Sequence, residues 1–364
     1  RPRRAWPGPY SPAARALPPP GPAGRQPVGV RCGSPWSMWQ AAGTASTSGG
    51  RLVEQLAIDQ ILRARADAAA FKTIEPRFQF AEHALLDLVD LLLDDLLQGG
   101  LVDQVEPDEN ADSISDAIEQ AASGGAAMLF TPEMSGLLDR DRIRAARHIV
   151  PEEDNPVLAA TRQAAAAHGL WVALGSLAVM GDGGRWANRS LVIDPAGAIA
   201  ARYDKIHMFD VDLASGESWR ESNAFEPGKS VVAVEDTPIG RVGLTVCYDI
   251  RFPALFEELG RRACDAIAIP AAFTVPTGAA HWHLLQRARA VEASAWVIAA
   301  AQVGEHADGR RTYGHSLVVD PWGEVVLDMG GENSGVGFAE FDTARTDEIR
   351  RQLPSLANRR NIPN

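Results

Sequence analysis

Residues 242–262 read VGLTVCYDIRFPALFEELGRR and predict a β-strand that leads through a cysteine into a helix. The apolar and β-branched residues before Cys247 are typical of a buried strand, and the stretch after Pro253 has apolar residues at helical spacing. A strand-to-helix elbow exposes a side chain and points helix N-terminal N–H groups at it, which lowers a thiol pKa and can hold an oxyanion. We therefore interpret Cys247 as a candidate nucleophile, with a structural cysteine in a core strand as the alternative.

Strands and helices alternate in the surrounding sequence. Residues 108–122 and 155–168 are predicted to be helices, and residues 126–130 and 170–179 are predicted to be strands. This alternation is typical of a layered α/β domain in which helices pack on sheets.

Two stretches repeat one another, SLVIDPAG at residues 190–197 and SLVVDPWG at residues 316–323. Each predicts a β-hairpin, because an Asp-Pro-x-Gly turn follows an apolar strand. The repetition predicts two similar halves, each ending in a hairpin and stacked as two sheets.

The composition is that of a globular protein with a small-molecule partner. The 364 residues are 46% hydrophobic and 23% charged, which excludes wholesale disorder. The formal net charge of −12 argues against binding to nucleic acid or to an anionic membrane, and no apolar run is long enough to span a bilayer.

The cysteines Cys32, Cys247 and Cys264 are too few for a disulfide framework or a zinc knuckle, and reduced thiols suit a cytoplasmic chain. Cys264 is interpreted as structural.

The first hundred residues differ from the rest. Residues 1–50 hold ten of the 24 prolines, six arginines and no acidic residue, so we predict a disordered extension. An organelle transit peptide and translated sequence upstream of the true start are the alternatives. Residues 51–100 predict helices of unknown role, including an amphipathic helix at residues 85–97 that needs a packing partner.

Charged residues follow two other predicted strands. Glu133 comes after AMLFTP at residues 127–132, and Lys205 comes after AARYD at residues 200–204. Because α/β sheets collect their active sites at the C-terminal ends of strands, we expect Glu133, Lys205 and Cys247 to converge. None of the eight histidines lies in a cysteine-protease pattern, so a carboxylate or a lysine is the expected base. The alternative is that each charge is solvated at the end of its element.

Three motifs resemble, in order and spacing, the nitrilase or carbon–nitrogen hydrolase superfamily: LFTPE at residues 129–133, YDKIH at residues 203–207 and VCYDIRFP at residues 246–253. The resemblance covers residues 107–360 and implies an α/β fold, a four-layer αββα sandwich. It assigns residues 101–364 to a carbon–nitrogen hydrolase domain that follows a poorly ordered N-terminal extension. It also implies a homodimer or a larger homo-oligomer.

The same resemblance implies a thiol-dependent amidase with a catalytic triad of Glu133, Lys205 and Cys247. Cys247 attacks the carboxamide carbon, Glu133 acts as base and acid, and water hydrolyses the resulting thioester. Lys205 and the backbone N–H of Tyr248 hold the oxyanion, and Glu221 is a second carboxylate that orients Lys205. For Glu221, a surface acid is the alternative. No metal or other cofactor is implied.

The neighbouring sequence resembles the branch of omega-amidases and deaminated-glutathione amidases. The matching stretches are WRESN at residues 219–223, TGAAHW at 277–282, RARAVE at 287–292, YGHS at 313–316 and, favouring the deaminated-glutathione side, AAAQVG at 299–304. The implied substrate is a small 2-oxo acid amide, with Arg251 and Thr277 in the acyl pocket and Arg251 on its carboxylate. The alternative is that Arg251 pairs with Asp249 or caps its helix.

Other functions stay open. They are an omega-amidase acting on 2-oxoglutaramate, an N-carbamoyl amide hydrolase, a catalytically silent binding protein of the same fold, and a metal-dependent hydrolase. A metal site at His281 and His283 is disfavoured, because side chains two apart on a helix point about 200° apart.

One stretch departs from the family pattern. Family members have a buried strand shortly before the strand of the glutamate motif. Here residues 100–106 read GLVDQVE, which is short and interrupted by charge. We therefore expect the first strand to be damaged or displaced.

Overall fold

The computed structural model of the protein describes residues 26–32, 107–214 and 216–360. The helices are α1 Pro107–Ser123, α2 Arg142–Ala145, α3 Pro156–His168, α4 Pro253–Arg261, α5 Val275–Ala293 and α6 Thr343–Gln352. The strands are β1 Gln26–Cys32, β2 Met128–Phe130, β3 Trp171–Met180, β4 Trp186–Ile193, β5 Ile199–Asp204, β6 Asp210–Asp212, β7 Ser218–Arg220, β8 Val232–Thr237, β9 Gly240–Leu244, β10 Ala266–Ala268, β11 Trp296–Ala299, β12 Val303–Glu305, β13 Arg311–Tyr313, β14 Leu317–Val319, β15 Val325–Asp328 and β16 Gly335–Phe341. None of the described helices is long and apolar enough to cross a membrane.

The strands form two six-stranded sheets of the same design. The first has the order β16-β1-β2-β3-β4-β5 and the second the order β8-β9-β10-β11-β14-β15. In the first, β1, β2 and β3 are parallel and the flanking strands are antiparallel. In the second, β9, β10 and β11 are parallel and the flanking strands are again antiparallel. The two halves predicted from the repeated hairpin sequences are therefore present.

Both predicted hairpins, β4–β5 and β14–β15, are confirmed. In each turn the aspartate, Asp194 or Asp320, accepts two backbone N–H bonds of 2.8 to 2.9 Å. The turn glycines Gly197 and Gly323 have φ of 76° and 86°, a conformation that a side chain disfavours. Local turn chemistry therefore fixes both hairpins.

The sheets face each other, and helices cover their outer sides. Along β2, Met128 and Phe130 pack in the core shared with the second sheet, whereas Leu129 packs with α1 and α3. This division follows from the two-residue period of a strand. Helices α4 and α5 pack on the second sheet through the side chains of Phe256, Leu259, Trp282 and Ala290. The four-layer αββα sandwich is confirmed.

The prediction of a disordered segment over residues 1–50 is wrong for β1. This strand lies between β16 and β2, antiparallel to the first and parallel to the second. Its side chains Val28 and Val30 are 1% and 0% exposed, and their burial stabilises the strand. The many prolines in this part of the sequence led to the wrong prediction. The strand therefore occupies the position beside β2 where the family pattern expects a first strand.

The other predictions for the N-terminal hundred fall outside the described residues. They are the rest of the extension over residues 1–50, the helices of residues 51–100 with the amphipathic helix at 85–97, and the interrupted strand at 100–106. These stay predictions.

Replacing Val30 with alanine is expected to lower the free energy of unfolding by about 2 kcal/mol, because two buried methyl groups are lost from the core. The matched control is Val326→Ala, since Val326 is 45% exposed on β15. Urea unfolding followed by circular dichroism measures both variants. Equal stabilities would show that β1 does not contribute to the folded core.

Candidate active site

The predicted strand-to-helix elbow is present between β9 and α4. Cys247 begins a 3-10 turn, Cys247–Arg251, and has a φ of 49°, which is uncommon for a residue with a side chain. The backbone N–H of Cys247 donates to the carbonyl of Pro270 at 2.8 Å, so the strained residue is anchored to the segment after β10. Cys247 is buried at the core between the sheets and also lines a cavity.

Asp249 holds the elbow against the strand that precedes Lys205. Its fully buried carboxylate accepts hydrogen bonds from the Tyr203 hydroxyl at 2.6 Å and from the backbone N–H of Val246 at 2.9 Å. It also contacts the backbone N and the ring Nδ1 of His207 at 3.0 and 2.7 Å. Sequence analysis did not assign this role to Asp249, although all four partners lie in the quoted motifs.

Glu133 lies three residues beyond β2 and is buried. Its Oε2 accepts a hydrogen bond from the backbone N–H of Ala272 at 2.9 Å. Its Oε1 accepts bonds from Lys205 Nζ and from Asn188 Nδ2, both at 3.0 Å. Three other segments of the chain therefore fix the carboxylate.

Lys205 is 2% exposed and donates to two carboxylates. Its Nζ lies 3.0 Å from Glu133 Oε1 and 2.8 and 3.1 Å from the two oxygens of Glu221. Burial alone would lower the pKa of Lys205, but Glu133 and Glu221 raise it well above its usual value. The group is therefore a cation at neutral pH. Glu221 also accepts from the backbone N–H of Phe209 at 2.7 Å, so it is not a free surface acid.

The pKa of the Cys247 thiol is raised, not lowered as the elbow predicted. Burial is the largest cause, and the negative charge of the nearby Glu133 carboxylate adds to it, while the positive charge of Lys205 opposes both. The prediction was wrong because it weighed only the local N–H groups of the turn and not the desolvation of the site. Cys247 is therefore held as a neutral thiol beside a carboxylate.

Asn188 is a site residue that sequence analysis missed. It lies on β4, is fully buried, and donates from Nδ2 to Glu133 at 3.0 Å and to Glu221 at 3.1 Å. The backbone carbonyl of Asn188 accepts a hydrogen bond from the backbone N–H of Lys205 at 2.9 Å. A buried polar residue within an apolar strand, just before the repeated hairpin sequence, was the available signal.

All seven predicted site residues line one cavity of about 160 Å³. They are Glu133, Lys205, Glu221, Cys247, Tyr248, Arg251 and Thr277. One wall is apolar and is formed by Leu137, Ala145, Ile149, Ala178, Trp186 and Phe225. The cavity therefore joins the charged cluster to an apolar pocket of a size suited to a small molecule.

Arg251 does not pair with Asp249, so that part of the alternative is wrong, and helix capping stays a prediction. Its guanidinium lies over the rings of Phe273 and Tyr248, 5.5 and 5.9 Å from their centroids. The nearest polar side-chain contact is His281 Nδ1 at 3.4 Å. Within the described residues Arg251 has no carboxylate partner, and it faces the cavity with its charge uncompensated.

Two groups that sequence analysis discussed lie elsewhere. His283 contacts Asp328 at 3.0 Å and shares it with His315, whereas His281 contacts Arg251, so the two histidines point apart as predicted. The three possible ligand atoms of His283, His315 and Asp328 lie within 4.8 Å of one another, but these residues are not part of the cavity wall. Cys264 is fully buried, and burial raises its pKa to about 11.

Comparison with known proteins gives consistent matches. Residues 98–351 match the family described as Carbon-nitrogen hydrolase. The chain is 40% identical to "Deaminated glutathione amidase" of Yersinia enterocolitica over 69% of this chain and 88% of the relative. It is 37% identical to "Deaminated glutathione amidase" of Bos taurus over 70% of this chain and 78% of the relative. The NitFhit protein of C. elegans is similar in structure, with a TM-score of 0.65 and 35% identity over 71% of this chain and 63% of that chain.

Replacing Glu133 with glutamine is expected to let the Cys247 thiol ionise at a lower pH than in the wild type. The carboxylate raises the thiol pKa, so its removal lowers that pKa and increases the thiolate fraction at a fixed pH. The ultraviolet absorbance of the thiolate over a pH titration measures this change, with the matching Cys247→Ala protein subtracted so that Cys264 does not contribute. An equal or higher midpoint in the variant would contradict this description of the site.

Proposed function

The chain belongs to the carbon–nitrogen hydrolase family and is an amidase of the nitrilase superfamily, and on that premise we propose its catalytic residues and its substrate class. Cys247, Glu133 and Lys205 hydrolyse the carboxamide of a small 2-oxo acid amide through a thioester. The observation that carries this proposal is the Glu133 carboxylate, which lies 3.0 Å from the buried ammonium group of Lys205 in the cavity that Cys247 also lines.

The first half of the reaction is acylation of the thiol. Glu133 takes the proton of Cys247 as the sulfur attacks the carboxamide carbon, so no free thiolate needs to exist beforehand. The tetrahedral oxyanion forms beside Lys205 Nζ and the backbone N–H of Tyr248. The C–N bond then breaks, and Glu133 passes the proton to the departing nitrogen, which leaves as ammonia or an amine.

The second half is hydrolysis of the thioester. Water enters next to Glu133, which removes a proton from it as the water oxygen attacks the acyl carbon. The second oxyanion occupies the same position as the first, and its collapse releases the carboxylate product. The proton held by Glu133 returns to the sulfur of Cys247, so the site regains its starting state.

The fixed charges around Lys205 make these proton transfers favourable. Before attack, one ammonium group faces the two carboxylates Glu133 and Glu221. Transfer of the thiol proton neutralises Glu133 at the moment when the oxyanion appears, so the total charge of the cluster does not change. Asn188 donates to both Glu133 and Glu221 and keeps them beside the ammonium group of Lys205 during the proton transfer.

The substrate proposal rests on Arg251. Its uncompensated guanidinium faces the cavity, and such a group binds a carboxylate with two parallel hydrogen bonds. Thr277 lies on the same wall and contacts Thr274 Oγ1 at 2.8 Å, so its hydroxyl is fixed near the acyl group. Two relatives named "Deaminated glutathione amidase" support a 2-oxo acid amide as the substrate.

We further propose that the protein is a homodimer or a larger homo-oligomer. Leu284 and Val291 lie seven residues apart on α5 and are 66% and 44% exposed, and Trp322 in the nearby hairpin turn is 54% exposed. Apolar side chains grouped in this way are typical of a contact between subunits. A cytoplasmic location is proposed because the reaction needs a reduced thiol and both described cysteines are free.

Replacing Cys247 with alanine is expected to reduce amide turnover to less than about one hundredth while the circular dichroism spectrum stays the same. The control is Cys264→Ala, which removes a buried thiol outside the cavity and should retain activity. The assay measures release of amine or ammonia, with and without a chelator. Substantial turnover by the Cys247 variant, or loss of wild-type activity to the chelator alone, would overturn the mechanism.

Replacing Arg251 with lysine is expected to reduce kcat/KM at least about tenfold for a 2-oxo acid amide, because a paired guanidinium–carboxylate contact is lost. A neutral amide of similar size should lose far less. Equal losses on both substrates would show that Arg251 supports the structure and that the carboxylate binds elsewhere.

A further inference from the structure

A cluster of two histidines and one aspartate lies outside the cavity wall. His283 comes from α5, His315 from the segment before β14 and Asp328 from the end of β15. Their three possible ligand atoms lie within 4.8 Å of one another, and none of the three residues lines the cavity. The proposed amide hydrolysis therefore gives this cluster no part.

One carboxylate oxygen is close to both imidazoles. Asp328 Oδ2 lies 3.0 Å from His283 Nε2 and 3.2 Å from His315 Nδ1. Zinc binds histidine nitrogen and carboxylate oxygen at about 2.0 to 2.2 Å, so two ligands of one tetrahedral ion lie about 3.3 Å apart. Both nitrogens are therefore close to the separation from this oxygen that a shared ion requires. The side chain of His283 is 37% exposed, so it can rotate to complete the geometry.

The backbone around His315 fixes one of these ligands. His315 has a φ of 55°, which is uncommon for a residue with a side chain. Its backbone N–H donates to the carbonyl of Gly330 at 2.7 Å, and its own carbonyl accepts from Trp282 Nε1 at 2.8 Å. Trp282 directly precedes His283, so this bond ties the helix that carries one histidine to the segment that carries the other.

Neighbouring groups also set the orientation of the ligand side chains. The His315 ring stacks on the ring of Tyr313, with centroids 4.4 Å apart and planes 27° apart. At Gly331 a Cβ would lie 3.0 Å from His315 Nε2, so the glycine leaves room for the ring. Asp328 Oδ1 accepts the backbone N–H of Gly330 at 2.9 Å. Outer partners of this kind orient the ligands of metal sites, and here they hold His315 Nδ1 toward Asp328.

The residue types select the kind of ion. Two imidazole nitrogens and one carboxylate oxygen suit a divalent transition-metal ion such as zinc, whereas magnesium and calcium prefer oxygen ligands. The side chains of His283, His315 and Asp328 are 37%, 24% and 34% exposed, so water can reach the ion and supply a further ligand. The cluster therefore has three protein ligands and an open side.

We propose that His283, His315 and Asp328 bind one divalent transition-metal ion per chain, at a site separate from the amidase cavity. The bound ion joins α5 to the β14–β15 hairpin. These two elements also carry Leu284 and Trp322, which are 66% and 54% exposed and belong to the proposed contact between subunits. The ion therefore holds together the two elements that form this contact, and it takes no part in catalysis.

Cobalt and zinc are the probes that test this site. Chelator-treated wild-type protein is titrated with Co²⁺, whose visible absorbance reports binding, and Zn²⁺ then displaces the bound cobalt. His283→Gln and Asp328→Asn each remove one ligand and keep a side chain of similar size. His281→Gln is the matched control, because His281 lies on the same helix but contacts Arg251 instead of Asp328. Thermal unfolding in the presence of chelator shows that each variant is folded.

The wild type and His281→Gln are expected to bind one ion per chain with equal affinity. The affinity should fall at least about tenfold in His283→Gln and in Asp328→Asn, because each loses one of three protein ligands. Zinc at about a hundred times its dissociation constant should raise the midpoint of thermal unfolding of the wild type by about 5 °C. Mg²⁺ should leave that midpoint unchanged.

Three results would overturn the inference. The first is that the wild type binds no cobalt, and the second is that the two ligand variants bind it as tightly as the wild type. The third is a sulfur-to-cobalt charge-transfer band in the near ultraviolet that disappears in Cys247→Ala, because the ion then lies at the nucleophile. Amide turnover of the wild type is measured in parallel and should be equal with and without the ion. Turnover that requires the ion would overturn the separation of the two sites.

Discussion

A buried ammonium group, that of Lys205, is the constraint on which the rest of the site depends. A buried cation without partners costs several kcal/mol, so the chain must bring compensating carboxylates to it. Glu133 comes from the end of β2 and Glu221 from the turn after β7, and Asn188 on β4 holds both. The ammonium group of Lys205 and the side-chain Nδ2 of Asn188 both donate to these two carboxylates, and removal of either carboxylate leaves the buried ammonium group less compensated.

Both halves of the sandwich are needed to complete this cluster. The first sheet and its loops supply Glu133, Lys205 and Asn188, whereas the second supplies Cys247 and the backbone N–H of Ala272. Asp249 ties the halves together, because it belongs to the elbow but bonds to Tyr203 and His207 on either side of Lys205. The nucleophile therefore meets its base only after the two sheets have packed face to face.

The features that sequence analysis predicted correctly are those with a local cause. The hairpins follow from the Asp194 and Asp320 turns, and the positions of Glu133 and Cys247 follow from the ends of predicted strands. The missed features depend on distant contacts. Strand β1 is stabilised by pairing with β16, some three hundred residues further along the chain. No local sequence pattern predicts that pairing. The role of Asn188, like the raised pKa of the Cys247 thiol, arises from burial against other segments.

The protonation state of Cys247 tests this description of the site most directly. The ultraviolet absorbance of a thiolate, taken as the difference between wild-type protein and a Cys247→Ala variant over a pH titration, reports on that one group. Because burial and Glu133 raise its pKa, the difference signal should be absent at neutral pH and appear only in strongly alkaline solution. A thiolate signal at pH 7 would contradict a neutral thiol that gives its proton to Glu133 during attack.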